Sequence, residues 1–443
     1  MLLRLKVKNF LSFYEETEFN MFPNVKWERF SNHIYADMAA PVLKQAAIYG
    51  ANGSGKSNFV AALGVLRNVA VRSDALKNFP ITPNKFRLAS ENNQEPISWE
   101  IEFFQQGKGF IYRIAVDDGK IVNEELWRSE MGQGKNKRIF KREGEQLTME
   151  CGVDKQVQQM TAKLLRNSPL SSSLSLNHQF PFLCDDDAGV AYEWFHKHLV
   201  ILSLHFVDSS LISRLSRDKN FLHYVSQVIE EIGLGVNQIR VDEKTFQEVV
   251  DAGLDKFRPF PPENILNRIG EKVSAVQFQN NKIVSCIEEN EHKQKVLKRL
   301  LFNMVGMDGF SADLESEIQS DGTTRVIHLL PALFNLKSHQ LVYVIDEIEN
   351  SIHPNLIVSL IKHFSMTPTQ GQLIYTTHET ELLNVQEILR PDEVWFTEKS
   401  YGATKMYSLN DFKLNNDINI KNGYLAGRYG AIPFIGDLGA SDE

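Results

Sequence analysis

In the first 20 residues Leu3, Leu5 and Val7 alternate with Arg4, Lys6 and Lys8, and a second apolar–polar run follows at 16–19. A period of two predicts antiparallel strands half buried against a core. Residues 46–49 form a short apolar run that stops at Gly50. Past Ser57 the period changes: Phe59, Leu63, Leu66 and Ala70 recur at spacings of three and four, which predicts a helix. Residues 97–128 alternate again, with QQGKG and DDGK as hairpin turns. Between 151 and 300 polar stretches such as NSPLSSSLSLN and CDDDAG separate segments read as helices, NFLHYVSQVIEEIG and HKQKVLKRLLFNMVG among them. From 325 onward the helix RVIHLLPALFNL leads into the wholly apolar strand LVYVI, and the helix LIVSLIKHF leads into QLIYTT. Continuous apolar strands alternating with helices predict a parallel sheet covered on both faces.

Composition narrows the class without naming it. The 443 residues carry a net charge of −8, so a dedicated nucleic-acid binder would need a local basic face. No stretch approaches the roughly 20 apolar residues that span a bilayer, and MLLRLKVKNF reads as a strand rather than a signal peptide. Cys151, Cys184 and Cys286 stand far apart, which argues against a zinc site or a disulfide framework and fits a reducing cytoplasm.

The chemistry concentrates in four places. Residues 50–57, GANGSGKS, fit the phosphate-loop pattern G-x-x-x-x-G-K-[ST] between a predicted strand and a predicted helix. Phosphate oxygens must meet several backbone N–H groups at once, and only small residues let the chain wrap that closely. On this reading Gly50, Asn52, Gly53, Ser54, Gly55, Lys56, Ser57 and Asn58 surround the phosphates, with Lys56 on the β- and γ-groups and the Ser57 hydroxyl on Mg²⁺. In LVYVIDEIENSIHP the apolar strand ends in Asp346 and Glu347, where parallel sheets bind ligands. Asp346 is the candidate Mg²⁺ ligand and Glu347 the candidate base; the competing reading is a helix N-cap. His378, in QLIYTTHETELL, ends the following strand and can reach the same crevice. In EIQSDGTTR, Ser320 and Gly322 precede a helix, either as an anion site or as a plain N-cap.

Taken in order, these four resemble the ABC-type ATPase head. GANGSGKS matches Walker A and VYVIDE matches Walker B. SDGT stands where the signature would be, with Asp321 in place of its first glycine, and His378 matches the switch histidine. The segments VKNFLSF, ESEIQSDGTTR, IDEIENSIHP, TTHETELL, LRPDEVWFTEK and GYLAGRYGAIPFIG resemble the stand-alone ABC ATPases of bacterial abortive-infection and restriction-linked operons, the RloA-like group. The resemblance covers about 1–130 and 300–436. It implies an α/β fold: a head with a parallel-core sheet and an N-terminal antiparallel β lobe, plus an inserted, largely helical lobe. The corresponding division is 1–150, 151–300 and 301–443. It further implies ATP and Mg²⁺ as ligands and a homodimer or higher homo-oligomer. Each ATP would lie between Walker A of one subunit and Ser320–Gly322 of the other.

Relatives of the overcoming-lysogenisation type carry a C-terminal Toprim nuclease. The residues after His378 are too few for one, so a separate effector protein, a nuclease or toxin, is the expected partner. The rival readings are a DNA-maintenance ATPase that clamps duplex DNA, and a scaffold that holds ATP and hydrolyses it slowly. GKNKRIFKR, read as a turn, and HKQKVLKR, read as a helix, either touch a nucleic-acid backbone or, as expected, are solvated, and Asp185–Asp187 is expected as a surface turn.

Overall fold

The computed structural model describes residues 1–72, 76, 84–89, 94–130, 135–150, 154–164, 186–204, 206–233, 235–251, 275–279, 282–290, 292–384, 387–414 and 419–433. The chain divides into two compact units, one of Met1–Leu204, Leu336–Glu349 and Val358–Glu443, the other of His205–Asn335 and Asn350–Ile357. The second unit therefore starts later than the lobe expected at 151–300, and it reaches further along the chain.

The first unit holds two main sheets. One is antiparallel and seven-stranded, built from β1 (Leu2–Lys8), β2 (Thr17–Asn20), β6 (Ile97–Gln105), β7 (Lys108–Asp117), β8 (Lys120–Ser129), β9 (Lys137–Glu143) and β10 (Gln146–Met149), in the order β10-β9-β8-β7-β6-β1-β2. The two-residue turns Gln106–Gly107 and Asp118–Gly119 have positive φ throughout, the primed-turn geometry whose twist matches the flanking strands. Trp99, Ile101 and Phe103 alternate inward, and Phe103 stacks on Trp194 with ring centroids 4.2 Å apart. On the other face Arg4 pairs with Glu102 at 3.0 Å and Lys8 with Glu95 at 2.8 Å. The expected alternation is thus the observed one. A small ribbon, β3 (Ile34–Tyr35) with β4 (Val42–Leu43), follows β2.

The second sheet is the one that positions the site. Its strands are β5 (Gln45–Tyr49), β11 (Leu199–Leu202), β17 (Val342–Ile345), β18 (Gln372–Thr376), β19 (Val394–Ser400) and β20 (Ala403–Ser408), in the order β11-β17-β18-β5-β19-β20. All neighbours are parallel except the β19–β20 hairpin. Every residue of β5, β17 and β18 is buried, as continuous apolar strands require when both faces are covered. Helix α1 (Lys56–Val71) follows β5 and buries Phe59, Leu63, Leu66 and Ala70, the positions whose spacing predicted it.

The second unit departs from the helical expectation. It contains an antiparallel sheet of β12 (Val236–Thr245), β13 (Ala275–Gln279), β14 (Lys282–Glu289), β15 (Lys295–Val305) and β16 (Ser311–Glu315). The segment HKQKVLKRLLFNMVG, expected as a helix, is mostly β15. It pairs with β12 along one edge and with β14 and then β16 along the other. Val296, Lys298, Leu300 and Phe302 are buried at a period of two. The period is hidden in the sequence because Lys298 occupies an inward position, where Glu288 and the Ser216 hydroxyl (2.8 Å) satisfy its ammonium. The helices Lys219–Glu231 and Asp321–Ser338 form as expected, and Phe334 packs against Phe221 and Tyr224.

Three smaller expectations change as well. Residues 137–142 of GKNKRIFKR lie in β9 rather than in a turn, with Arg142 fully buried against Glu124 at 2.6 Å. Asp186 and Asp187 open the helix Asp186–Glu193, and Asp187 pairs with Lys108 and Arg128. Asp185, Cys151, Cys184 and NSPLSSSLSLN lie outside the described residues. Among the described residues no helix is long and apolar enough to cross a membrane.

His328 supplies a test of the second unit. Its buried Nδ1 accepts the Asp208 N–H at 3.2 Å, and burial lowers its pKa from 6.5 to about 4. A base depressed on folding stabilises fully above its unfolded pKa, and that contribution is lost as pH falls from 6.5 to about 4. The gap is worth roughly 3 kcal/mol. Denaturant unfolding of wild type and His328→Asn should show acid sensitivity in that window that is smaller by about this amount in the variant.

Candidate functional site

The site grows from the end of β5. Gly50 leaves the buried strand, and the loop then needs two left-handed residues, Gly53 at φ 77° and Gly55 at φ 116°, before α1 begins at Lys56. A Cβ on Gly50 would strike Thr397, and one on Gly55 would strike Thr404. The loop is held by hydroxyls from the β19–β20 hairpin. Thr397 Oγ1 lies 2.7 Å from Ser54 Oγ, and Thr404 Oγ1 donates to the Ser54 carbonyl at 2.7 Å. Asn58 donates to Ser12 Oγ at 2.6 Å, while the Thr404 N–H donates to the Ser12 carbonyl at 2.7 Å.

Lys56 is buried, and its ammonium donates to the Gly50 carbonyl at 2.8 Å and the Ala51 carbonyl at 3.3 Å. Burial lowers its pKa from 10.5 to about 8, against the attraction of Glu347, Glu349 and Asp346. It therefore stays largely protonated at pH 7.

Asp346 and Glu347 follow the carboxyl end of β17, and Thr376 at the end of β18 links them. Its hydroxyl donates to Asp346 Oδ1 at 2.7 Å and accepts the Glu347 N–H at 2.7 Å. Glu347 takes φ 44°, a conformation disfavoured for a residue with a Cβ. Strain of this kind gathers at functional sites. The next helix begins only at Pro354, so these acids do not cap it. Glu349 Oε1 accepts the His378 N–H at 2.5 Å. The His378 imidazole is held below its usual pKa by desolvation and by the Lys56 ammonium, with Asp346 opposing, so the ring is neutral at pH 7.

A cleft of about 800 Å³ gathers Asn52, Gly53, Gly55, Lys56, Ser57, Asn58, Glu347, His378 and Lys399, all from the first unit. Five expected residues, Gly50, Ser54, Ser320, Gly322 and Asp346, are absent from its wall. Ser54 is turned onto Thr397, Gly50 lies beneath the loop, and Asp346 is buried at Thr376. Ser320 belongs to the second unit and caps the helix Asp321–Ser338, its Oγ accepting the Thr323 N–H at 3.1 Å. Gly322 is needed there because a Cβ would press on the Ser351 carbonyl at 2.6 Å. The sequence reading missed Lys399, Glu349 and the threonines at 376, 397 and 404. Glu349 lay inside the quoted IDEIENSIHP, but the threonines carry no pattern of their own.

A phosphate loop between a buried parallel strand and a helix, with acids beyond the next strand but one of the same sheet, defines a P-loop fold of the ATPase class. The chain belongs to the family described as "AAA domain, putative AbiEii toxin, Type IV TA system", whose model matches residues 46–384. No curated protein matches the chain. Among solved structures it is similar to an Smc head bound to the C-terminal winged-helix domain of ScpA (14% identity, 94% of this chain and 98% of that one, TM-score 0.45). The SMC head domain from Thermotoga maritima gives 14% identity, 93% and 99% coverage and a TM-score of 0.37. The Smc head with an extended coiled coil bound to the C-terminal domain of ScpA, derived from Pyrococcus furiosus, gives 16%, 93%, 97% and 0.39. At these scores the likeness is loose.

Glu349→Ala removes the acceptor of the His378 N–H and should cost roughly 1–3 kcal/mol in urea unfolding. Glu349→Gln keeps an oxygen there and should lose less than half of that.

Proposed function

We propose that the chain binds ATP with Mg²⁺ in this cleft, hydrolyses it, and uses the nucleotide state to control a partner effector as a nucleotide-sandwich dimer or higher homo-oligomer. The observation that carries the reading is the meeting of Lys56, Ser57, Glu347 and His378, from three strand ends, on one wall. A Cβ at Gly53 would meet no protein atom within 4 Å, so the loop leaves open the space that a phosphate group needs.

The loop amides of 50–55 and the N-terminus of α1 bind the phosphates, with Asn52 and Asn58 at their margin. Lys56 reaches the β- and γ-groups. Ser57 and Asp346 would hold Mg²⁺; a hydroxyl and a carboxylate are hard oxygen ligands, and such a site takes its remaining ligands from phosphates and water. When bound, Mg²⁺ neutralises charge on the phosphate oxygens. Glu347 orients the attacking water and accepts its proton, and neutral His378 contacts the γ-phosphate or that water. Ser320 and Gly322 act in trans, on the nucleotide of a second subunit, with their exposed helix N-terminus as the phosphate contact.

The effector is a separate nuclease or toxin, and the setting is antiphage defence. The family description, which names a toxin and a toxin–antitoxin system, supports this over DNA maintenance. So does the pairing of Arg138, Lys141, Arg142, Lys298 and Arg299 with carboxylates, since paired cations are poorly placed to neutralise a DNA backbone.

Mass photometry with and without Mg-ATP, beside a phosphate-release assay, tests the reading. Lys56→Ala should neither bind ATP nor assemble. Glu347→Gln should lose roughly 10²-fold or more in turnover and persist as an ATP-bound dimer. Wild-type turnover in Glu347→Gln sinks the assignment of the base, and a species that ignores ATP sinks the sandwich.

A further inference from the structure

The cleft contains a second ammonium group that the nucleotide scheme above does not use. Lys399 lies in β19; its side chain forms no hydrogen bond or ion pair among the described residues and lines the cleft with the phosphate loop. Its direction follows from strand register. Lys399 is directly opposite Thr404 in the β19–β20 ladder, and opposed residues project to the same face. Thr397, two residues earlier, shares that face as well. Both threonines contact Ser54, so this face lies against the loop, and Lys399 is the next side chain along it.

The sheet order sets which part of a ligand it meets. β5 carries the loop and sits between β18 and β19. Glu347 and His378 come from the ends of β17 and β18, on one side, and Lys399 comes from the other. A nucleotide whose terminal phosphate faces Glu347 and His378 must lay its remaining length across the loop towards β19. There a long, flexible side chain carrying an unpaired point charge meets it.

We propose that Lys399 is a nucleotide-binding residue that contacts the α,β-diphosphate shared by nucleoside di- and triphosphates, from the side opposite Glu347 and His378. This inference rests on the nucleotide reading of the cleft. Lys399 is exposed on a hairpin anchored by buried residues such as Trp395, Phe396, Thr397 and Thr404, so its replacement is expected to leave the fold intact.

The test measures dissociation constants for Mg-ADP and Mg-ATP, together with kcat, on the full chain as wild type, Lys399→Ala and Lys399→Arg, with melting temperature as the folding control. Lys399→Ala should weaken ADP and ATP alike by roughly tenfold, in keeping with loss of a charged hydrogen bond. Its kcat at saturating ATP should stay within about twofold of wild type, and Lys399→Arg should recover most of the affinity. Unchanged ADP affinity in the alanine variant overturns the proposal. A loss confined to ATP, with a fall in kcat, also overturns it, because the charge would then act on the terminal phosphate. Wild type that binds neither nucleotide brings down the reading of the cleft itself, which is a different failure.

Discussion

The site depends on one packing constraint: β5 lies between two parallel neighbours. Ile48 is paired with Thr376 on one side and with Trp395 on the other. Parallel pairing aligns carboxyl ends, so residues more than 300 positions apart in the chain emerge along one rim. Both faces of these strands are buried, and the apolar runs allow no other depth in the layer. The loop, the paired acids and His378 are brought together by strand pairing alone.

Where the apolar runs stop, hydroxyls take over. Thr376, Thr397 and Thr404 are all buried, and a buried hydroxyl must find a partner. Each finds it in the site: Thr376 in Asp346 and Glu347, the other two in Ser54. Threonine suits the position, since its branched side chain favours a strand while its oxygen reaches out of the layer. The same contacts explain why Gly50 and Gly55 admit no side chain, as Thr397 and Thr404 fill the space a Cβ would take. Loop conformation and sheet packing are therefore a single interaction seen from two sides.

That dependence decides what the sequence could reveal. The phosphate loop, Asp346–Glu347 and His378 were legible because each ends a run with a clear period, and the hairpins of 97–129 were legible from their Asp-Gly and Gln-Gly turns. What failed was patterning broken by paired charges. Lys298 and Arg142 are inward and neutralised by Glu288 and Glu124, and the partner acid lies on another strand that the local sequence cannot indicate. Lys399 and the threonines were missed for a related reason. They reach the site because β18 and the β19–β20 hairpin lie on either side of β5, and pairing between strands so distant in the chain is a tertiary fact. Ser320 and Gly322 show the opposite case: local chemistry predicted a helix cap and an anion site together, and the cap is the part that the described contacts of the chain account for.

The charges along the rim are unevenly placed, and this orders the chemistry. Asp346, Glu347 and Glu349 all act on Lys56, yet desolvation outweighs their attraction and brings the ammonium to about 8. A terminal phosphate on that side would lie against Glu347 in the cleft wall, within the field of the carboxyl groups that also act on Lys56. Backbone amides and the end of α1 supply only partial charges against such a field. On the proposed scheme a divalent cation at Asp346 and Ser57 would offset that field for a terminal phosphate. On the β19 side the Lys399 side chain lines the cleft and, among the described residues, has no carboxylate partner. If the proposed scheme holds, the diphosphate would be the part held by the protein's own groups, and retention of the terminal phosphate would depend on the metal.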